Sequence, residues 1–149
     1  MRRFSLITLA GILLLSACGQ AAGLQVSNAW ARPAQQNGTG AVYFLLQNHS
    51  ASRDELIGVS SDAAQAAEMH ESKMEGDVMR MGQITSLPIA GKAGIEFGPG
   101  GYHVMLVGLK QDLQAGDEIQ VTLHFKNHDS LVVSVPVQEM PPEASTGNH

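Results

Sequence analysis

The chain has 149 residues, 44% of them hydrophobic, a single cysteine and a formal net charge of −5. That length holds one domain with one hydrophobic core and leaves no room for a multidomain enzyme. The acidic balance, with no Lys/Arg cluster outside the N-terminus, excludes a phosphate-binding stripe and makes nucleic acid an unsuitable partner, while the lone Cys18 excludes an internal disulfide, a CxxC redox pair and a Cys-ligated zinc, blue-copper or binuclear copper site within one chain.

Residues 1–17 read as an export signal. Arg2 and Arg3 precede an apolar run from Phe4 to Leu15, too short to span a bilayer and flanked by charge as a secretory segment is. The sequence Leu15-Ser16-Ala17-Cys18 resembles a bacterial lipobox, which would make Cys18 the lipid-bearing first residue and residues 18–23 a tether. Cleavage of an ordinary signal peptide after Ala22 is the alternative. Either route exports the protein to the periplasmic or envelope side.

The rest of the chain reads as strands. Leu24, Val26 and Trp30 are expected on one face of a first strand ended by Pro33, with Trp30 as a core anchor. Ala41 to Gln47 is a nearly continuous apolar run suited to a strand buried on both faces. His49 falls in a turn and reads as solvated. A short strand over residues 55–60 follows, and Ala63 to Ala67 has helical propensity in too short a stretch to form a helix.

Residues 68–84 predict a hairpin about Glu75-Gly76, since glycine supplies the positive φ of a tight turn. A loop symmetric about that pair sets His70 directly opposite Met81, on one face of the sheet. Met74 and Met79 fall on that face as possible auxiliary thioethers, and Met69 points the other way into the core. Beyond Ile95 to Phe97 and the turn Gly98 to Gly101, His103, Met105 and Val107 share one face of a strand while Tyr102, Val104 and Leu106 share the other. Ile119, Val121, Leu123 and Phe125 alternate with polar residues, and so do Leu131, Val133, Val135 and Val137. His124 and His128 read as solvated, and Pro136 calls for an edge strand. Residues 139–149 form a polar tail expected to be disordered, with only Met140 and His149 as potential donors.

Eight or nine short strands without helix predict an all-β antiparallel sandwich or barrel over residues 24–138. Within it His70, Met81, His103 and Met105 make the pattern H-x10-M-x21-H-x-M. Two imidazoles and two thioethers are a soft, uncharged donor set, suited to Cu(I) rather than to Zn, Ca or Mg. Glu68 and Glu71 flank His70 and read as solvated, or at most as an outer partner of the histidine. No Ser/His/Asp, paired-carboxylate or Gly-rich phosphate signature stands out, so the expectation is a protein that is not an enzyme.

The spacing, together with Asn28-Ala-Trp-Ala-Arg-Pro33, Gly100-Gly-Tyr-His-Val-Met-Leu-Val-Gly-Leu-Lys110 and Val135-Pro-Val137, resembles the periplasmic copper chaperones of the PCu(A)C type across the whole mature chain. The resemblance implies a cupredoxin-like sandwich, the four residues as Cu(I) ligands, and a copper acceptor as partner: the copper centre of cytochrome c oxidase or a Sco-type assembly factor. It implies a monomer held at the membrane through Cys18. Two alternatives stand beside it, a soft-metal buffer without a dedicated acceptor and an envelope β-sandwich that binds another component without metal.

Overall fold

The computed structural model describes residues 23–142. Cys18, the export segment and His149 lie outside the described residues. Ten strands follow one another: β1 (Leu24–Ala31), β2 (Thr39–Asn48), β3 (Asp54–Ser61), β4 (Ala64–Glu75), β5 (Val78–Ile84), β6 (Leu87–Ile89), β7 (Gly94–Phe97), β8 (Tyr102–Leu109), β9 (Glu118–Phe125) and β10 (Leu131–Pro136). They form a six-stranded sheet in the order β1-β2-β7-β8-β4-β5 and a four-stranded sheet in the order β10-β9-β3-β6. This is the all-β sandwich the alternation predicts, of the cupredoxin-like kind the resemblance implies, with one strand more than the eight or nine expected.

The core lies between the sheets. Val42, Phe44, Met69, Phe97, Val104 and Leu106 come from the six-stranded sheet, and Leu56, Ile89, Val121, Leu123 and Val135 from the four-stranded one. Burying each such aliphatic or aromatic side chain contributes about 1.5–3 kcal/mol relative to exposure, and Phe44 stacks on Phe97 with ring centroids 4.3 Å apart. β2 carries the apolar run because it is central, pairing with β1, β7 and β8. Both strand prolines sit on edge strands, Pro88 in β6 and Pro136 in β10, where a missing N–H does least harm.

Residues 63–67, too short a stretch to form a helix, lead into β4 and its pairing with β8. Two local expectations are corrected. Trp30 is buried, but on the face opposite Leu24 and Val26. A bulge between Ser27 and Trp30, with Asn28 at φ 53°, inserts one residue and inverts the alternation. Trp30 instead packs on Tyr43 at 4.9 Å, under the Arg32 guanidinium 5.7 Å from its ring centre.

The second correction concerns the β4–β5 hairpin. Its loop is Gly76-Asp77 rather than Glu75-Gly76, with Gly76 at φ 63° in the first loop position, as a II′-type hairpin demands. The register therefore moves by two residues. His70 pairs with Gln83, and Met81 pairs with Ser72. A slip of one would have turned every side chain over; a slip of two leaves the faces as predicted.

Candidate metal centre

β4 is the strand on which the site is built, because it lies between β8 and β5. Its pairing with β8 sets His70 directly opposite His103 and Glu68 directly opposite Met105. On these strands Met69 and Val104, one residue removed, point into the core. Since side chains alternate along a strand, His70, His103, Met105 and Glu68 occupy the outer face of the six-stranded sheet. The two imidazole rings stand 5.7 Å apart, centre to centre.

His70 is the centre of the group. His103 is its direct cross-strand neighbour, Met105 its diagonal neighbour on β8, and Met81 its diagonal neighbour on β5. Diagonal neighbours on one face lie about 7–8 Å apart, within reach of long side chains. The structure thus gathers all four predicted donors around one histidine, though not by the route expected. Met81 and Met105 approach from opposite sides, and Met81 is 55% exposed on the edge strand. Its unbranched side chain is the donor with most freedom to move.

The hydrogen bonds fix which imidazole nitrogens are available. Nε2 of His70 lies 2.9 Å from a Glu68 carboxylate oxygen, and a carboxylate accepts, so Nε2 carries the proton. That leaves Nδ1 as a bare lone pair. Nδ1 is buried and has no hydrogen-bond partner, an arrangement that costs about 1–3 kcal/mol when nothing answers it. In His103, Nδ1 faces the Gly101 carbonyl at 3.3 Å and donates to it, which leaves Nε2 as the basic nitrogen. Both rings are held in a single tautomer by a neighbour, as metal-ligating histidines usually are. Sequence reading had weighed Glu68 as solvated or as an outer partner, and the pairing at 2.9 Å decides for the partner.

Among the described residues no three His, Cys, Asp or Glu side chains gather as a ligand group. The sulfur side chains beside the two imidazoles on this face are the thioethers of Met81 and Met105. Glu71, on the opposite face, pairs with Lys73 at 2.9 Å. Together with burial, its carboxylate pushes the Tyr102 phenol above its ordinary range, so Tyr102 stays neutral beside the site.

The other histidines among the described residues do not join. His49 bonds to Gln25 at 2.8 Å, and His124 is bridged by Ser60 and Ser130 at 2.8 and 2.9 Å. His128, read as solvated, pairs with the fully buried side chain of Asp54. Burial alone would raise the Asp54 carboxyl, but hydrogen bonds from His128 and from the Glu55 and Asn127 amides outweigh it and hold it below the ordinary carboxylate range. The partners lie 74 residues apart, and no local pattern carries such a pairing.

Residues 24–137 match the family described as "Putative lipoprotein LpqE-like". A relative from Leifsonia xyli subsp. xyli, "Putative lipoprotein Lxx21020", is 35% identical over 121 residues, covering 80% of this chain and 72% of that one. A second, "Uncharacterized protein RP573" of Rickettsia prowazekii, is 33% identical over 124 residues, covering 80% and 68%. Among solved structures, the copper-bound PCuAC domain from PmoF2 superposes with a TM-score of 0.66 at 22% identity, over 80% of this chain and 96% of that domain. The Cu(I) form of DR1885 from Deinococcus radiodurans gives 0.55 at 28% identity, over 80% and 82%. This chain belongs to the LpqE-like family, and its sandwich is that of the PCuAC copper chaperone domains.

Proposed function

We propose that this protein binds Cu(I) as cargo through His70, Met81, His103 and Met105 and passes it to an acceptor outside the cytoplasmic membrane. The observation that carries the reading is the buried, unpartnered Nδ1 of His70, a residue whose cross-strand and diagonal neighbours are His103, Met105 and Met81. Two neutral imidazoles and two thioethers leave the ion its own single charge and favour Cu(I) over Cu(II). The copper-bound PCuAC domain and the Cu(I) form of DR1885 support the same metal.

The donor set also suits release. His70 and His103 each have one ring nitrogen tied by a hydrogen bond, while Met81 is exposed on the edge strand. An incoming ligand of the acceptor enters on the open Met81 side, and the ion changes partners one donor at a time without changing oxidation state. A closed thiolate site would lack such an open side.

The acceptor in this reading is the copper centre of cytochrome c oxidase or a Sco-type assembly factor. The protein works as an exported lipoprotein, anchored through Cys18 with residues 24–138 as its copper domain; the family's lipoprotein description supports the anchor. Titration with Cu(I) against a competing chelator tests the site. Binding should weaken steeply in Met105→Ala and His103→Ala, and micromolar binding indifferent to Met105 would refute it. Anaerobic transfer to a purified oxidase copper fragment separates a chaperone from a buffer, and mass spectrometry of the mature protein tests lipidation at Cys18.

A further inference from the structure

Beyond the four donors, the outer half of the β4–β5 hairpin carries a feature that the inner site does not use. Met74 and Met79 are direct cross-strand partners next to the Gly76-Asp77 turn, and Met81 follows Met79 on the same face. Directly opposed residues have Cβ atoms about 4.5–5.5 Å apart, so two thioethers meet at the tip with a third one step inward. Their exposures are 60%, 53% and 55%. Methionine commonly fills gaps in cores, but side chains this exposed fill none.

The hairpin also separates its chemistry by face. Glu71, Lys73, Glu75 and Arg80 occupy one side, where they pair as Lys73 with Glu71 and Arg80 with Glu75. The other side holds His70, Ser72, Met74, Met79, Met81 and Gln83, all neutral or weakly basic and with no fixed charge among them. A concentration of thioethers on an uncharged, solvent-facing surface binds a soft monovalent ion and offers little to Zn(II), Ca(II) or Mg(II).

We infer that Met74, Met79 and Met81 form a second, outer Cu(I) site, and that Met81 is shared between it and the inner site. The inference rests on the Cu(I) reading above. Met81 lies one step along β5 from Met79 and one diagonal step from His70, so it can keep its bond to copper while the other donors change. Moving inward, the ion exchanges the Met74 and Met79 sulfurs for His70, then His103 and Met105. It remains Cu(I) throughout, and each sulfur that leaves returns to solvent uncharged. The outer site is where copper is taken up or surrendered.

The test uses the full chain with its methionine methyl groups labelled with 13C, titrated anaerobically with Cu(I). The first equivalent should move the Met81 and Met105 methyl signals, and further Cu(I) should move those of Met74 and Met79. Met74→Leu/Met79→Leu keeps the apolar surface and removes only sulfur. It should abolish the second equivalent and slow uptake and release to a chelator alike, since the outer site is a step on the path in both directions, while leaving the first-equivalent affinity unchanged. Unmoved Met74 and Met79 signals, or a double-leucine variant that behaves as wild type, would overturn the outer site and mark the methionines as a docking surface for a partner. Shifts at Met74, Met79 and Met81 with none at Met105 or the His70 and His103 rings would instead overturn the inner site and keep the outer one. No shift anywhere refutes both.

Discussion

Removing the Glu68 carboxylate is expected to weaken Cu(I) binding without disturbing the fold. Glu68 receives the Nε2–H of His70 at 2.9 Å. Without it the ring can rotate or adopt the other tautomer, and Nδ1 loses the electron density that an anionic acceptor lends it. Carboxylate partners of ligating histidines are typically worth 10–100-fold in affinity. The Glu68 side chain keeps 31% of its surface in solvent, and water screens a charge so placed, which points to the lower end: about tenfold for Glu68→Ala, or about 1.4 kcal/mol. Glu68→Gln retains an oxygen that accepts from Nε2–H but not the charge, so about threefold is expected, half the free energy. Anaerobic competition with a Cu(I) chelator gives the affinities, and 15N shifts of the His70 ring report which nitrogen binds. Wild-type affinity in Glu68→Ala, or copper on Nε2, would refute the reasoning.

Three further outcomes follow from the scaffold. Because the folded protein holds the Asp54 carboxyl below its ordinary range, the unfolded chain takes up the proton more readily. The stabilisation is therefore complete above about pH 4 and is lost as pH falls through the lower folded value. Asp54→Asn should cost about 1–3 kcal/mol at neutral pH, and its gap from wild type should close in acid denaturation series; a gap independent of pH would refute the assignment. Leu123→Ala, at a fully buried core position, should lower stability by about 2–5 kcal/mol in chemical denaturation while leaving Cu(I) affinity intact. Gly91→Ala would put a Cβ 2.1 Å from the Ala51 carbonyl oxygen, and forcing those loops apart should cost about 1–3 kcal/mol, read as a lower Tm.

What the sequence made legible was local alternation. β9 and β10 are exposed or half-buried at every second residue, and in β8 Met105 and Val107 alternate with the buried Val104 and Leu106, so the face of Met105, and with it that of His103 two residues earlier, could be assigned directly. Trp30 went to the wrong face because a single-residue bulge at Asn28 leaves no mark in a period-2 pattern. The hairpin loop was misplaced by one residue, since glycine announces a turn but not which loop position it takes. The error was harmless to the site only because a shift of one in the loop is a shift of two in the register. The His70–His103 pairing is a contact across 33 residues between strands that are not consecutive. Neither strand's pattern encodes it, and it came from resemblance alone. Glu68 was visible two residues from His70, yet its role depended on a rotamer that spacing does not specify.

The two faces of β4 and β8 give these strands a division of labour with evolutionary weight. Met69, Val104 and Leu106 answer to the core, while in the copper reading proposed above His70, His103 and Met105 answer to the cargo, and the two sets interleave without sharing a position. A change of donor therefore need not be compensated by repacking, and a change of packing need not alter the metal held. The same sandwich can drift towards other soft ions, or lose metal binding altogether, and still fold.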